Sequence, residues 1–289
     1  MKRWKAVLLA CLLCAAAACG GANNAANNVN NMVIPDTVKN TMLLPPDTEP
    51  EYELTPLTEK KSYTAEDGTV LAECSYALLT LHVSNQDELS ESTAQQAQQT
   101  VENFNERINK RMQDAVSFSQ ELGDMARNAY ESGYFSLPYT DEASAAGVRQ
   151  GQIYSIRINS YSYSGGAHAN SYTDSYLFDL KLGQFIDPAQ VADDPVAFQK
   201  GAAELLLEKA QEQDEDVQAG FYPEYAEVIS RWYEGTVLFD SGGMTVVYSP
   251  YELGPYALGT VELKVGYDEL TELLGPGGLE RLGLTEEIE

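Results

Sequence analysis

The chain has 289 residues, of which 18 are lysine or arginine and 44 are aspartate or glutamate, so its formal net charge is −26. A chain this acidic repels nucleic acid and attracts cationic partners, so we expect no nucleic-acid ligand. Its two histidines and four cysteines match neither a disulfide framework nor a Cys/His metal site. We therefore expect no catalytic metal and no other cofactor.

The first 18 residues have the layout of an export signal. Three cations, Lys2, Arg3 and Lys5, precede a short apolar run, and small residues then lead to Cys19. This layout resembles the bacterial lipoprotein signal, although Ala16 stands where that signal usually has leucine. By this resemblance Cys19 is lipidated and attaches the protein to the extracytoplasmic face of the bacterial cell membrane.

Two alternatives to lipidation stay open, an ordinary cleaved secretory signal and an uncleaved anchor. The apolar run is well short of the roughly 20 residues that span a bilayer, so we do not expect a permanent transmembrane helix. Removal of residues 1–18 would leave 15 basic and 44 acidic residues, a net charge near −29.

Residues 19–58 are rich in asparagine and proline and have almost no hydrophobic periodicity, which predicts a disordered tether. We expect the folded body at residues 59–274, with a first half at 59–146 and a second half at 147–274. Residues 275–289 are predicted to form a loose acidic tail.

The first half begins with strand patterns at residues 60–64 and 70–83 and continues with a helical pattern at residues 87–130. In that helix apolar residues recur every three or four positions, which predicts one face packed on a sheet. The acidic stretch 140–146 is predicted to be a loop, and residues 148–163 are predicted to be one strand.

One face of the strand at 70–83 is the more apolar, and we expect it to face the core; it carries Leu71, Ala77, Leu79, Leu81 and Val83. Cys74 and His82 fall on the opposite face. No acid or nucleophile is spaced with His82, so we interpret it as a half-exposed strand histidine.

Residues 161–186 are predicted to form a β-hairpin, because two alternating runs flank the pair Gly165–Gly166. One face of the second run carries His168, Asn170, Tyr172, Asp174, Tyr176, Phe178 and Leu180. This face is polar near the turn and apolar further away, which predicts a hairpin with one end in a core and its tip in water. Gly183 is predicted to close a second tight turn.

Asp194 and Pro195 predict a helix start, with Asp194 as the N-cap and Pro195 in the first turn. The remaining patterns predict, in order, an acidic loop at 212–219, a helix at 225–233, a hairpin of 236–239 with 244–248, a rigid loop at 249–259, a strand at 260–265 and a helix at 267–274.

Two segments carry a family resemblance: YSYSGGAHANSYTDSYLFDLKLGQFIDPAQV, which begins at Tyr161, and VVYSPYELGPYALGTVELKVGYDEL, which begins at Val246. Together they resemble the PdaC/RsiV-like extracellular domain. That family includes the non-catalytic part of a peptidoglycan deacetylase and the lysozyme-sensing part of a membrane-bound anti-sigma factor. The resemblance implies a single α+β body, an antiparallel sheet with helices packed on it, and the separation of hairpins from helices predicts the same class.

Neither a catalytic domain nor a catalytic constellation is predicted. His168 and Asp174 share a strand face, but six residues of extended chain separate them by roughly 20 Å, far beyond hydrogen-bond reach. The nearby serines, Ser162, Ser164 and Ser171, lie in no nucleophile elbow. We expect a non-enzymatic binding or sensing domain. Two alternatives stay open: an envelope hydrolase or deacetylase that uses His168 and nearby acids, and a purely structural envelope protein with no soluble ligand.

Tyrosine is frequent, with 18 copies, and many lie in the two signature segments. Tyrosine suits protein interfaces and sugar stacking, but it also packs well in sheets. The predicted ligand-binding residues are Tyr161, Tyr163, Gly165, Gly166, His168, Tyr251 and Tyr256. The expected partner is a cationic protein such as a lysozyme-like muramidase, or alternatively a cell-wall glycan.

Overall fold

Residues 48–285 are the part of the chain that the computed structural model describes, so the signal, Cys19 and the tether as far as residue 47 lie outside it. The nine strands of this described part are β1 (Tyr52–Thr64), β2 (Val70–Val83), β3 (Tyr139–Gln150), β4 (Ile153–Tyr163), β5 (Asn170–Asp179), β6 (Gln184–Ile186), β7 (Thr236–Asp240), β8 (Gly243–Tyr248) and β9 (Val261–Val265). Its α-helices are α1 (Glu91–Glu131), α2 (Pro195–Gln211), α3 (Glu215–Ala219), α4 (Tyr225–Ser230) and α5 (Tyr267–Arg281).

Strands β1 to β6 form one sheet in sequence order. Neighbouring strands are antiparallel with one exception, because β2 and β3 are parallel. Helices and a largely antiparallel sheet confirm the predicted α+β class, whereas the prediction of an antiparallel sheet was wrong for this one pair of strands. The reason is the connection: α1 carries the chain from one end of β2 back to the other before β3 starts, and such a crossover produces a parallel pair.

Helix α1 covers one face of this sheet. Its predicted apolar stripe is confirmed, because Ala97, Val101, Phe104, Ile108, Met112 and Ala115 are all buried. The ring of Phe104 packs edge-on against Phe178 of β5, with 5.1 Å between ring centroids. Ser90 caps the helix by accepting a hydrogen bond from the backbone N–H of Thr93. This core fixes the helix across strands β2 to β5.

The core-facing side of β2 differs from the prediction. Leu71 and Leu81 are buried as predicted, but Ala77, Leu79 and Val83 are only half-buried. In the middle of the strand the buried residues under α1 are instead Cys74, Tyr76 and Leu78. Apolar residues occupy both faces of this strand, so alternation alone did not identify the side that the helix covers. His82 is exposed and lies within 3.1 Å of the Thr80 hydroxyl, as expected for a surface strand histidine.

A second core lies around the three-stranded antiparallel sheet of β7, β8 and β9. Helices α2, α4 and α5 contribute to it, and so do Ile153 of β4 and Leu177 of β5. Because neighbouring residues of a strand point to opposite faces, these two side chains leave the six-stranded sheet on the side away from α1. Strands β4 and β5 are therefore sandwiched between the two cores.

The edge of β7 is joined to the six-stranded sheet through serine side chains. Ser155 accepts a hydrogen bond from the backbone N–H of Phe239 and donates one to its carbonyl, both at 2.9 Å. Ser175 accepts from the N–H of Val237 at 2.8 Å. These hydroxyls supply the partners that the edge of β7 lacks, because β8 pairs with its other side.

Three predicted boundaries were wrong. Residues 52–58, assigned to the tether, form the first half of β1. Residues 140–146, predicted as a loop, belong to β3, and the predicted strand at 148–163 is two strands with a turn at residues 151–152. Strand β3 has poor strand formers, but it pairs with a neighbour on each side, and that pairing overrides local propensity.

The end of the body also differs from the prediction. Helix α5 continues past Gly275, where the chain is kinked, and reaches Arg281. Leu282 is fully buried in the second core. Residues 275–285 are therefore part of the fold, and only the last four residues of the predicted acidic tail lie outside the described part. Within residues 48–285 no helix combines the length and apolarity needed to cross a bilayer.

Arg281 makes a buried contact between this C-terminal helix and the six-stranded sheet. Its Nε lies 3.1 Å from Oδ2 of Asp179, a carboxylate that is only 1% exposed. The other oxygen of Asp179 accepts hydrogen bonds from the backbone N–H groups of Lys181 and Leu182. Among the described residues Arg281 is the one partner of Oδ2, so the buried charge depends on it.

We expect Ser155→Ala to lower the free energy of unfolding by about 2–4 kcal/mol, because it leaves the buried N–H and carbonyl of Phe239 without partners. Urea denaturation measures this change. Ser144→Ala, at an exposed position of β3, is the control and should stay within about 0.5 kcal/mol. A similar small effect for both variants would contradict the role assigned to Ser155.

We expect Arg281→Met to lower the free energy of unfolding by about 3–5 kcal/mol, since it strands the buried charge of Asp179 and removes the donor to the carbonyls of Gln190 and Val191. Lys181→Met is the matched control, because it breaks the exposed ion pair with Glu280 and should cost less than about 1 kcal/mol. Denaturation of both variants gives the comparison. Equal losses would show that the ion pair of Asp179 does not stabilise the C-terminal helix.

Candidate functional site

Two loops from distant parts of the chain meet at one end of the molecule. Residues 164–169 connect β4 to β5, and residues 249–260 connect β8 to β9. In the first loop Gly165 and Gly166 have φ values of 89° and 101°, a region that only glycine adopts readily. The predicted glycine turn is therefore present, within a connection of six residues rather than two.

His168 is the residue of the first loop that contacts the second. Its ring stacks on Tyr256 with 4.2 Å between centroids and 20° between planes. Its Nε2 lies 3.4 Å from the Tyr251 hydroxyl, and its Nδ1 lies 2.9 Å from the carbonyl oxygen of Ala169. A neutral ring protonated at Nδ1 satisfies both contacts, because it donates to the carbonyl and accepts from the tyrosine.

We call His168, Tyr251 and Tyr256 the aromatic tip. The two tyrosine rings lie 5.7 Å apart, and Tyr251 and Tyr256 are 52% and 37% exposed. Tyr251 has a φ of 77°, and no other non-glycine residue in the described part has a positive φ. Such a backbone persists only where its surroundings hold it, so the exposed ring is preorganised.

The loop that carries these tyrosines is anchored to β5. The hydroxyl of Ser249 accepts a hydrogen bond from the N–H of Thr173 at 2.9 Å, and the backbone N–H of Ser249 donates to the Glu252 carboxylate. Burial raises the pKa of Glu252, and the negative charge of Asp174 raises it further. Leu253 is buried in the second core, so the loop is held at both sides of Tyr251.

The other predicted binding residues have different surroundings. The hydroxyl of Tyr163 donates to the carbonyl of Gly166 at 3.4 Å, and its ring packs edge-on against Tyr139. Tyr163 therefore supports the glycine loop. Tyr161 is exposed on the sheet face away from α1, where it lines a cavity of about 630 Å³. No ring contact or hydrogen bond within residues 48–285 joins it to the aromatic tip.

The described part of the chain offers no metal centre, because nowhere in it do three or more His, Cys, Asp or Glu side chains come close enough to share an ion. His168 has contacts with aromatic rings and a backbone carbonyl, and no carboxylate of residues 48–285 forms a hydrogen bond with it. This geometry presents an aromatic surface and does not assemble a base with its nucleophile.

A polar region, separate from the aromatic tip, lies between α1 and the ends of β3, β4 and β5. It was not predicted from the sequence. We call it the polar groove; it has a volume of about 410 Å³ and is lined by Tyr76, Arg111, Asp114, Ala115, Phe118, Asp141, Glu142, Ala143, Ser160, Ser162, Asn170 and Tyr172. Asp141, assigned to a loop, is its central carboxylate. The sequence feature that could have indicated this groove is the change from Ile158 to Ser160 on one face of β4.

The carboxyl group of Asp141 is held by neighbours from two elements. Tyr76 donates a hydrogen bond to its Oδ2 at 2.8 Å. Burial raises the pKa of Asp141, and the hydrogen bonds from Tyr76 and Ser162 and the positive charge of Arg111 oppose that rise. Burial likewise raises the pKa of Asp174, against the lowering effect of Arg111. Arg111 also lies 3.4 Å from the hydroxyl of Tyr172.

Two family models match the chain, and they divide it at the hairpin. Residues 72–171 match the model described as Deacetylase PdaC, and residues 193–268 match a family of unknown function, DUF3298. These matches confirm the family resemblance read from the sequence. His168 lies in the first matched segment and both tyrosines of the aromatic tip lie in the second. No curated protein gives a significant match.

Two solved structures resemble the fold. A crystal structure of a DUF3298 family member from Bacteroides fragilis is 16% identical, with a TM-score of 0.57, over 81% of this chain and 97% of that one. A DUF3298 family protein from Pseudomonas aeruginosa is 18% identical over 79% of this chain and 96% of its own, with a TM-score of 0.43. The similarity to the Bacteroides fragilis protein establishes a shared fold.

Proposed function

We propose that this protein is a non-enzymatic, lipid-anchored binding or sensing module on the outer side of a bacterial cell membrane. The PdaC and DUF3298 matches support an extracellular, envelope-associated domain. The observation that carries the binding role is the aromatic tip, to which both matched segments contribute. An exposed cluster built from two distant loops is the kind of surface that recognises a partner.

The physical properties of the tip favour a protein ligand. Tyrosine buries a large area at a small cost in side-chain entropy and keeps a polar hydroxyl for a directed contact. The backbone of Tyr251 and the stacking of His168 on Tyr256 hold the rings in place before binding. Preorganised aromatic side chains of this kind are typical of the residues that dominate binding energy at interfaces.

The charge of the chain selects the class of partner. With a formal net charge of −26, the protein attracts basic proteins over a distance of about one Debye length. Attraction of this sort raises the association rate, while the desolvated contacts at the tip supply specificity. A lysozyme-like muramidase is the first partner to test, because the family resemblance includes a lysozyme-sensing relative.

We expect the full chain to bind lysozyme in calorimetry at both low and physiological salt. Tyr251→Ala and Tyr256→Ala should each weaken binding at least tenfold, the loss typical of an interface anchor. Tyr134→Ala is the matched control, because Tyr134 is 86% exposed and lies outside the tip. The affinity of this variant for lysozyme should be unchanged. Binding that disappears at physiological salt, or that survives both tip substitutions, would contradict the proposal.

The competing enzymatic function has a direct test. The full chain is incubated with peptidoglycan and with acetylated chitooligosaccharides, with and without divalent metal ions. Turnover that is lost in His168→Ala would overturn the binding function, since it would make His168 a catalytic residue. We expect no product above the buffer control.

The proposed lipid anchor rests on Cys19. Cys19→Ala should release the protein into the medium or leave it unprocessed, because this substitution removes the acceptor of the acyl chains and stable attachment needs more than one of them. Cell fractionation and the intact mass of the mature protein measure the change. Cys74→Ala serves as the control, since Cys74 is buried in the folded body. Unchanged membrane retention and mass in Cys19→Ala would exclude the anchor.

A further inference from the structure

We infer that the polar groove is a binding site for a short neutral saccharide, with Ser160 and Asp141 at its floor. The site is separate from the aromatic tip, because none of the three tip residues lines the groove. It therefore adds a second ligand to the protein and does not depend on the proposed recognition of a cationic protein.

The groove arises from the register of the sheet beneath α1. One cross-strand row contains Tyr76, Ala143, Ser160 and Tyr172, and the next contains Cys74, Asp141, Ser162 and Asn170. The row on the other side places Ile158 beside Asp174. Along β4 the side chains under α1 therefore change from apolar at Ile158 to polar at Ser160, and the groove opens at the rows of Ser160 and Ser162.

The buried hydroxyl of Ser160 is the feature of the groove that indicates a ligand. It is only 6% exposed, and its hydroxyl has no hydrogen-bond partner among the described residues. A buried hydroxyl without a partner destabilises a fold, so such groups in native proteins call for an explanation. Every second residue of a strand points to the same face, so the Ser160 side chain lies on the α1 side of β4 with Ile156 and Ile158. Ser160 lines the groove, where a hydroxyl of the ligand can form a hydrogen bond with it.

The other walls offer the mixture of groups that a saccharide requires. Asp141 presents an acceptor that Tyr76 holds in place, and Arg111 and Asn170 present donors. Phe118 on α1 and Tyr172 on β5 are both exposed at the rim and provide apolar ring faces. A volume of about 410 Å³ lies within the range of small-molecule sites.

Other ligand classes fit the groove less well. Asp114, Asp141 and Glu142 disfavour an anion, since only Arg111 opposes them. An apolar ligand would leave Ser160 and Asp141 desolvated without new partners. A metal ion is disfavoured because within residues 48–285 no group of three candidate ligands comes together.

The test is a calorimetric titration of the full chain with three tetrasaccharides: the N-acetylglucosamine tetramer, maltotetraose and the cationic glucosamine tetramer. We expect at least one of the two neutral ligands to bind. Ser160→Ala should weaken that binding at least fivefold without lowering the Tm, because the hydroxyl makes no internal hydrogen bond. Ser160→Val, which also fills the floor, should abolish it.

Two controls assign the binding to the groove. Ser171→Ala removes a hydroxyl from the opposite face of the neighbouring strand, and Tyr256→Ala alters the aromatic tip; both should leave saccharide affinity unchanged. Loss of binding in Tyr256→Ala together with full binding in Ser160→Ala would place the saccharide at the tip and overturn the inference. Binding of the glucosamine tetramer alone, or of no tetramer at millimolar concentration, would also overturn it.

Discussion

The buried edge of β7 is the constraint on which the arrangement of the two cores depends. Its outward backbone groups at Val237 and Phe239 point into the face of the six-stranded sheet, where each unpaired group would cost about 1–3 kcal/mol. Ser155 and Ser175 satisfy them from two adjacent strands. Hydrogen bonds need close alignment, so β7 can cross the larger sheet in only one position, and apolar packing alone would not impose that position.

The same attachment positions the aromatic tip. The Thr236 hydroxyl donates to the carbonyl of Thr173 at 2.6 Å, and the N–H of Thr173 donates in turn to Ser249. One residue of β5 therefore connects the start of β7 with the loop that follows β8. This connection places the tyrosines of that loop beside His168. The loop continues from β8, whose six residues are all buried, so a rigid strand supports the exposed rings.

Features that depend on local chemistry could be predicted from the sequence, and features that depend on pairing could not. The stripe on α1, the Asp194 cap and the glycine pair are each determined by a few adjacent residues, and all three are present. Strand β3 was missed because its residues favour no strand by themselves and are ordered by β2 and β4. The buried face of β2 depended likewise on which side α1 covers.

The aromatic tip and the polar groove also differ in how far the sequence could predict them. The tip residues stood out one by one, as an unusual histidine and tyrosines in a rigid loop, but the contact of His168 with Tyr256 depends on the hydrogen bonds that attach two sheets. The polar groove needs still more information, because Asp141 and Ser160 become neighbours of Tyr76 only once the register of three strands is known. The side chains of β4 alternate between the two faces of the sheet, and its register places both Ile158 and Ser160 on the α1 side. Ile158 belongs to the apolar core and Ser160 to the polar groove. A shift of one residue would turn Ser160 away from the helix and close the groove, so the core and the groove are specified by the same pairing.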